Sequence, residues 1–211
     1  MLNKFNCGAS KEVYKIVTGD ESWIYSYEPK ARQQSTVWVF QNKPNPIKVV
    51  RAQTTSKKMV TCVFGKTGHI ATVPLENRRT VNSDCYTTIC STEVIGEIRK
   101  TNRRYRIVLH HYKLHNQLSY IGSNNRLSTQ NIELMGRPPN SPDLAPIDFF
   151  LFPSVKNKLR GQRFSLSEEA IEAFKNHVLK IPYSEWNKCF ENWFKRMQNC
   201  IDHRGEYFEK Y

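Results

Sequence analysis

Acidic residues are scarce in this chain, and three of the aspartates stand where they could do chemistry. Asp20 interrupts a β-rich run, in Thr18-Gly19-Asp20-Glu21. Asp143 and Asp148 flank a proline-defined helix start, Ser141-Pro142-Asp143-Leu144-Ala145-Pro146-Ile147-Asp148. Asp143 has the residue type and the place of a helix N-cap. Asp148 falls in the first turn between Ile147 and Phe149, where the helix dipole favours an acid but capping does not require one. Separated acids converging from a strand and a helix in a basic chain suit hard-cation binding for phosphodiester chemistry. The competing reading makes each acid an ordinary cap or surface charge. Gly65-Lys66-Thr67 resembles the end of a phosphate loop, but Val60 stands where that loop needs a glycine, and the segment reads as a hairpin turn. No HExxH or GxSxG pattern occurs. His110-His111 ends a short strand without an obvious third ligand, so it reads as structural or orienting rather than metal-binding.

The elements that must position these residues belong to a chain of 211 residues, long enough to bury a real core. Lys and Arg number 32 against 19 Asp and Glu, a net charge of +13, which favours a polyanionic partner such as nucleic acid. From Ile98 to Ile132 there is no acid, while Arg99, Lys100, Arg103, Arg104, Arg106, Lys113 and Arg126 are present, so the excess is local. Aromatics at 12% are too many for a disordered basic tail. Uninterrupted apolar runs are too short for a membrane span, and the N-terminus lacks the apolar core of a secretory signal. These features predict a soluble intracellular protein. The six cysteines form no CxxC pair and read as reduced thiols.

Residues 1–12 read as the end of a linker. Val13–Val17 and Ser22–Tyr27 form a strand or a strand pair, and the polar, proline-containing segment 28–57 forms a long loop. Met59–Phe64 and His69–Leu75 predict a hairpin. Helical spacing marks 84–100, Arg106–Leu109 is a short buried strand, 116–130 is helical, and Ile132–Met135 is another strand. The C-terminal third is helical. Pro146 suits a first turn, and Pro153 forces a kink or break. Ser165 and Glu168 have capping-box spacing. Trp186, Phe190, Trp193, Phe194, Met197, Cys200 and Ile201 make an apolar stripe that reads as core packing. This order predicts an α/β domain with a mixed sheet.

Thr18-Gly19-Asp20-Glu21-Ser22-Trp23-Ile24-Tyr25, Leu109-His110-His111 and Ser141-Pro142-Asp143-Leu144-Ala145-Pro146-Ile147-Asp148-Phe149 closely resemble, in order, three signature blocks of mariner-family DNA transposases. Shorter matches lie at Trp38-Val39-Phe40, Lys57-Lys58-Met59-Val60, Leu159-Arg160-Gly161-Gln162-Arg163-Phe164 and Gly205-Glu206-Tyr207-Phe208, so the resemblance covers about residues 8–208. It implies a ribonuclease-H-like catalytic domain over 13–211. That fold is a five-stranded mixed sheet with flanking helices and an inserted loop, here about 28–57, after the first strand that contacts a dimer partner. It further implies DNA as partner, a nuclear site of action, and two Mg²⁺ (or Mn²⁺) ions held by three aspartates for strand cleavage and transfer. Asp20 matches the first aspartate and Asp148 the third.

The second matches Tyr112, in His110-His111-Tyr112-Lys113, and no acid lies between Glu97 and Glu133 to take its place. The interval from Tyr112 to Asp148 is also one residue longer than the family's. A neutral phenol cannot bridge two ions at neutral pH, so metal binding is expected to be weakened and cleavage impaired. The alternative is a non-catalytic nucleic-acid-binding or dimerising module. The family's paired helix-turn-helix modules are expected to be absent, and with them sequence-specific targeting. Arg103, Arg104 and Arg106, with Lys156, Arg160 and Arg163, are the expected phosphate contacts.

Overall fold

A computed structural model describes residues 1–29, 39–44, 56–75, 91–101, 106–110, 131–138 and 140–205. Five strands make one sheet: β1 (Ile16–Tyr25), β2 (Lys57–Gly65), β3 (Gly68–Leu75), β4 (Ile107–His110) and β5 (Ile132–Met135), in spatial order β3-β2-β1-β4-β5. The β1–β2 and β2–β3 pairings are antiparallel, and β1–β4 and β4–β5 are parallel. The predicted hairpin is present, with Lys66-Thr67 at its tip. Gly68 follows at φ 140°, a backbone state that favours glycine.

One expectation is corrected at the first strand. Thr18-Gly19-Asp20-Glu21 is not a break: every residue from Val17 to Tyr25 pairs with β2, Gly19 opposite Val63 and Asp20 opposite Cys62. Continuous antiparallel pairing to β2 outweighs the weak strand preference of Gly and Asp. Asp20 therefore sits within a continuous central strand.

Period-two alternation gives this sheet two apolar faces. Ile16, Ile24, Val60, Cys62, Phe64 and Val108 pack on one side against the C-terminal helices. Val17, Met59, Val63, Val73 and Leu109 pack on the other against Val94 and Ile98 of α1 (Ser91–Thr101). The sheet is thus the middle of three layers. Residues 84–90 and 116–130, which the spacing predicts to be helical, lie outside the described residues. Residues 3–8 and 11–15 are 3₁₀ turns, and Leu2, Phe5 and Val13 are buried in the core beside the C-terminal helices.

The C-terminal third holds a wide, π-type turn (Ile147–Leu151), α2 (Phe152–Leu159), α3 (Ser167–Leu179) and α4 (Tyr183–Asp202). Pro153 lies in the first turn of α2, which continues directly from the π-type turn, and the change from π to α geometry falls just before it. The capping box at Ser165 does not form: α3 begins at Ser167 with Leu166 at its N-cap and no side-chain cap, and Glu169, not Glu168, accepts from the Ser165 backbone N–H at 3.0 Å. Glu168 pairs instead with Lys58 at 2.6 Å. On α4, Trp186, Phe190, Trp193 and Phe194 are buried as predicted, but Ile201 is exposed, so the core stripe stops near Met197.

Cys7, Cys62, Cys189 and Cys200 are free thiols, and burial pushes the Cys62 thiol up to about 12. Among the described residues no helix is long and apolar enough to cross a membrane.

Candidate functional site

Parallel pairing sets three strand positions in one row, Thr18 beside His110 and His110 beside Met135. Two residues beyond that row, β1 carries Asp20 and the chain leaving β5 carries Arg137. Ligand sites in open α/β sheets form beyond the carboxyl ends of such parallel strands. The π-type turn brings Asp148 to the same place. Arg137 joins the two acids: its Nη1 donates to Asp148 Oδ2 at 2.7 Å, and its Nη2 lies 3.5 Å from Asp20 Oδ2. All three side chains are largely covered, with 10% exposure for Arg137, 14% for Asp20 and 24% for Asp148. The other Asp20 oxygen, Oδ1, accepts from the Glu21 backbone N–H at 2.8 Å.

A second group of contacts fixes the corner that carries Asp148. Thr18 Oγ1 and His110 Nδ1 share a buried hydrogen bond of 3.2 Å, and the His110 ring lies 4.8 Å from that of Trp193. His110 is thus an orienting residue of the core. Trp193 Nε1 donates to the Leu144 carbonyl at 2.8 Å, and Arg196 Nη1 to the Asp143 carbonyl at 3.3 Å. The Arg196 guanidinium also stacks on Phe149, 4.5 Å from the ring centre. Helix α4 therefore clamps residues 143–149 from behind. Trp193→Phe keeps most of the ring but leaves the Leu144 carbonyl without its indole donor. It is expected to lower stability by about 1–3 kcal/mol, measured by urea denaturation, and a loss under about 0.5 kcal/mol would show that the clamp is unimportant.

Asp143 is corrected: it lies inside a 3₁₀ turn, Pro142–Leu144, and no side-chain cap forms at Ser141 or at Pro146. Its carbonyl, held by Arg196, is what serves the corner. Lys156 of α2 donates from Nζ to Ser22 Oγ at 2.6 Å, on the strand face that carries Asp20. Burial pushes this amine below its usual pKa, Glu28 and Asp148 pull it up, and Arg160 adds to the depression. Arg160 donates to Asn157 at 2.7 Å, and the exposed Arg163 stacks on Tyr27 at 4.7 Å. These three cations lie on the α2 side. Arg106 does not join them: it precedes the opposite end of β4 and pairs with Glu133 at 2.9 Å. Arg103, Arg104, His111 and Tyr112 lie outside the described residues.

Arg137 was not anticipated from the sequence. The signal for it was positional, since it stands as far past β5 as Asp20 stands past the shared row. Its presence bears on metal binding. Among the described residues no three His, Cys, Asp or Glu side chains are grouped to hold an ion. Two carboxylates already bridged by a guanidinium do not fit a pair of divalent cations, which needs more anionic oxygen than one Arg-neutralised pair leaves.

Mariner Mos1 transposase of Drosophila mauritiana is 28% identical over 211 residues, 93% of this chain and 57% of the relative. This chain is homologous to that mariner transposase. Histone-lysine N-methyltransferase SETMAR of Homo sapiens is also 28% identical, over 207 residues, 92% of this chain and 28% of the relative. The chain thus spans less than two thirds of either curated relative. No family model matches. Among solved structures, a Mos1 paired-end complex with left transposon end superposes with a TM-score of 0.85 at 24% identity, covering 99% of this chain and 60% of that one. The Mos1 catalytic domain alone gives 0.74 at 23% identity, covering 99% and 90%. These likenesses bear out the ribonuclease-H-like, five-stranded mixed sheet with flanking helices. Mos1 paired-end complexes have been solved with Mn and with Mg.

Proposed function

We propose that this chain is the catalytic-domain portion of a mariner-like transposase that grips DNA but cuts it poorly. The observation that carries the reading is the convergence of Asp20 and Asp148, from a central strand and a helical turn, in a homologue of Mos1. Ancestrally such a pair, with a third aspartate, would hold divalent cations for strand cleavage and transfer. Here Tyr112 stands at the second aspartate's place in the sequence, and a neutral phenol does not replace a bridging carboxylate at pH 7. Weak metal binding and impaired cleavage follow. Dimerisation through the loop at about 28–57 belongs to the same reading, and Phe40, 85% exposed, is an apolar side chain suited to a partner. A nuclear site of action follows from DNA as partner. The retained-module alternative, DNA binding or dimerisation without chemistry, is favoured by Arg137 lying across both acids.

Phosphate contacts position a protein on DNA but carry no sequence information. Fluorescence anisotropy with several unrelated duplexes should therefore give affinities within about threefold of one another. Failure to bind any duplex, or a preference on the order of 100-fold for one sequence, would contradict the reading.

A further inference from the structure

We propose that Arg137 is a resident cation that stands in for a divalent ion between Asp20 and Asp148. The inference deepens the reading above and rests on it for taking these acids as former metal ligands. Three separate segments meet here: β1 brings Asp20, the π-type turn brings Asp148, and the chain after β5 brings Arg137. Two carboxylates this close and this poorly solvated would repel without a positive partner. One guanidinium can serve both because its nitrogens donate in a fixed fork, and here Nη1 and Nη2 each face a different acid. The charge a metal would bring to the acids is therefore supplied by the chain itself.

The same geometry opposes a metal. A Mg²⁺ ion bonds oxygen at about 2.1 Å, and Arg137 Nη1 is already 2.7 Å from Asp148 Oδ2. An ion on that oxygen would stand no more than about 4.8 Å from the guanidinium nitrogen, the sum of those two contacts. With the Arg137 side chain only 10% exposed, little water is available to screen them. Binding an ion there requires Arg137 to leave both acids. The site is therefore closed and ordered without metal, and divalent cations compete with Arg137 for it.

Mn²⁺ binding to the free protein, followed by the electron paramagnetic resonance of unbound Mn²⁺, tests this without DNA or cleavage. Wild type and Arg137→Lys, which keeps the charge, should bind on the order of tenfold or more weaker than Arg137→Gln. Asp20→Asn added to Arg137→Gln should abolish the gain. Equal binding by wild type and Arg137→Gln, or a gain that survives Asp20→Asn, overturns the proposal. If Arg137→Gln fails to fold, the wild-type melting temperature decides. An unchanged value between millimolar MgCl₂ and NaCl of equal ionic strength supports the proposal, and a rise specific to Mg²⁺ overturns it. Failure to bind DNA would remove the functional reading above and leave every one of these readouts as it is.

Discussion

Raising monovalent salt from about 50 to about 200 mM is expected to weaken the chain's hold on duplex DNA by about 150-fold. The cations available on and beside α2 are Lys156, Lys158, Arg160 and Arg163. Each phosphate they neutralise releases condensed counterion, and for B-DNA the slope of log affinity against log salt is about −0.9 per phosphate. Four contacts give a slope of about −3.6. Arg163 is exposed and braced on Tyr27, so it can meet a phosphate without first giving up a carboxylate. Arg163→Gln should make the slope shallower by about one and weaken binding to all sequences alike. Arg106, engaged by Glu133 at the far end of β4, should change the slope little when replaced. Affinity that varies less than about threefold over this salt range would rule out a phosphate-dominated interface.

The sequence made the sheet legible where apolar period-two runs were long, as in the β2–β3 hairpin, or short and bounded by turns, as in Ile132–Met135. At the first strand it left one strand or a strand pair open, because Gly19 and Asp20 carry poor strand propensity. Antiparallel pairing to β2, which runs unbroken through both residues, decides that residue pair, and such pairing is non-local. The capping box at Ser165 failed for a similar reason. Lys58, 110 residues away in sequence, takes the acid that local spacing had assigned to the cap. At the site, Asp20 and Asp148 could be named from their motifs. Arg137 could not, because no motif contains it and only the β4–β5 register carries it to the acids. Asp143 had the residue type for a cap, yet its backbone carbonyl, held by Arg196, is what matters.

In binding without cutting, the decisive role falls to position 112. Two carboxylates can hold one hard cation whose other positions are filled by water and phosphate oxygen. A two-metal clamp needs an acid shared between ions about 4 Å apart, and a phenol does not supply one. Tyr112→Asp restores the charge but not the spacing to Asp148, and Arg137 still lies across the remaining acids. A misplacement of about 1 Å can cost on the order of 100-fold, so the rescue is expected to be partial.

The most direct measurement is nicking of supercoiled plasmid, with Mg²⁺ or Mn²⁺, by wild type, Tyr112→Asp, and Tyr112→Asp combined with Asp20→Ala. Wild type should stay at the level of the metal-only control. Tyr112→Asp should exceed it by about tenfold, as far as a still imperfect geometry allows. The double variant should fall back to the control. Robust nicking by wild type that disappears in Asp20→Ala would show that the chain cuts DNA without a third aspartate. Nicking gained in Tyr112→Asp that survives loss of Asp20 would show that the active site lies elsewhere.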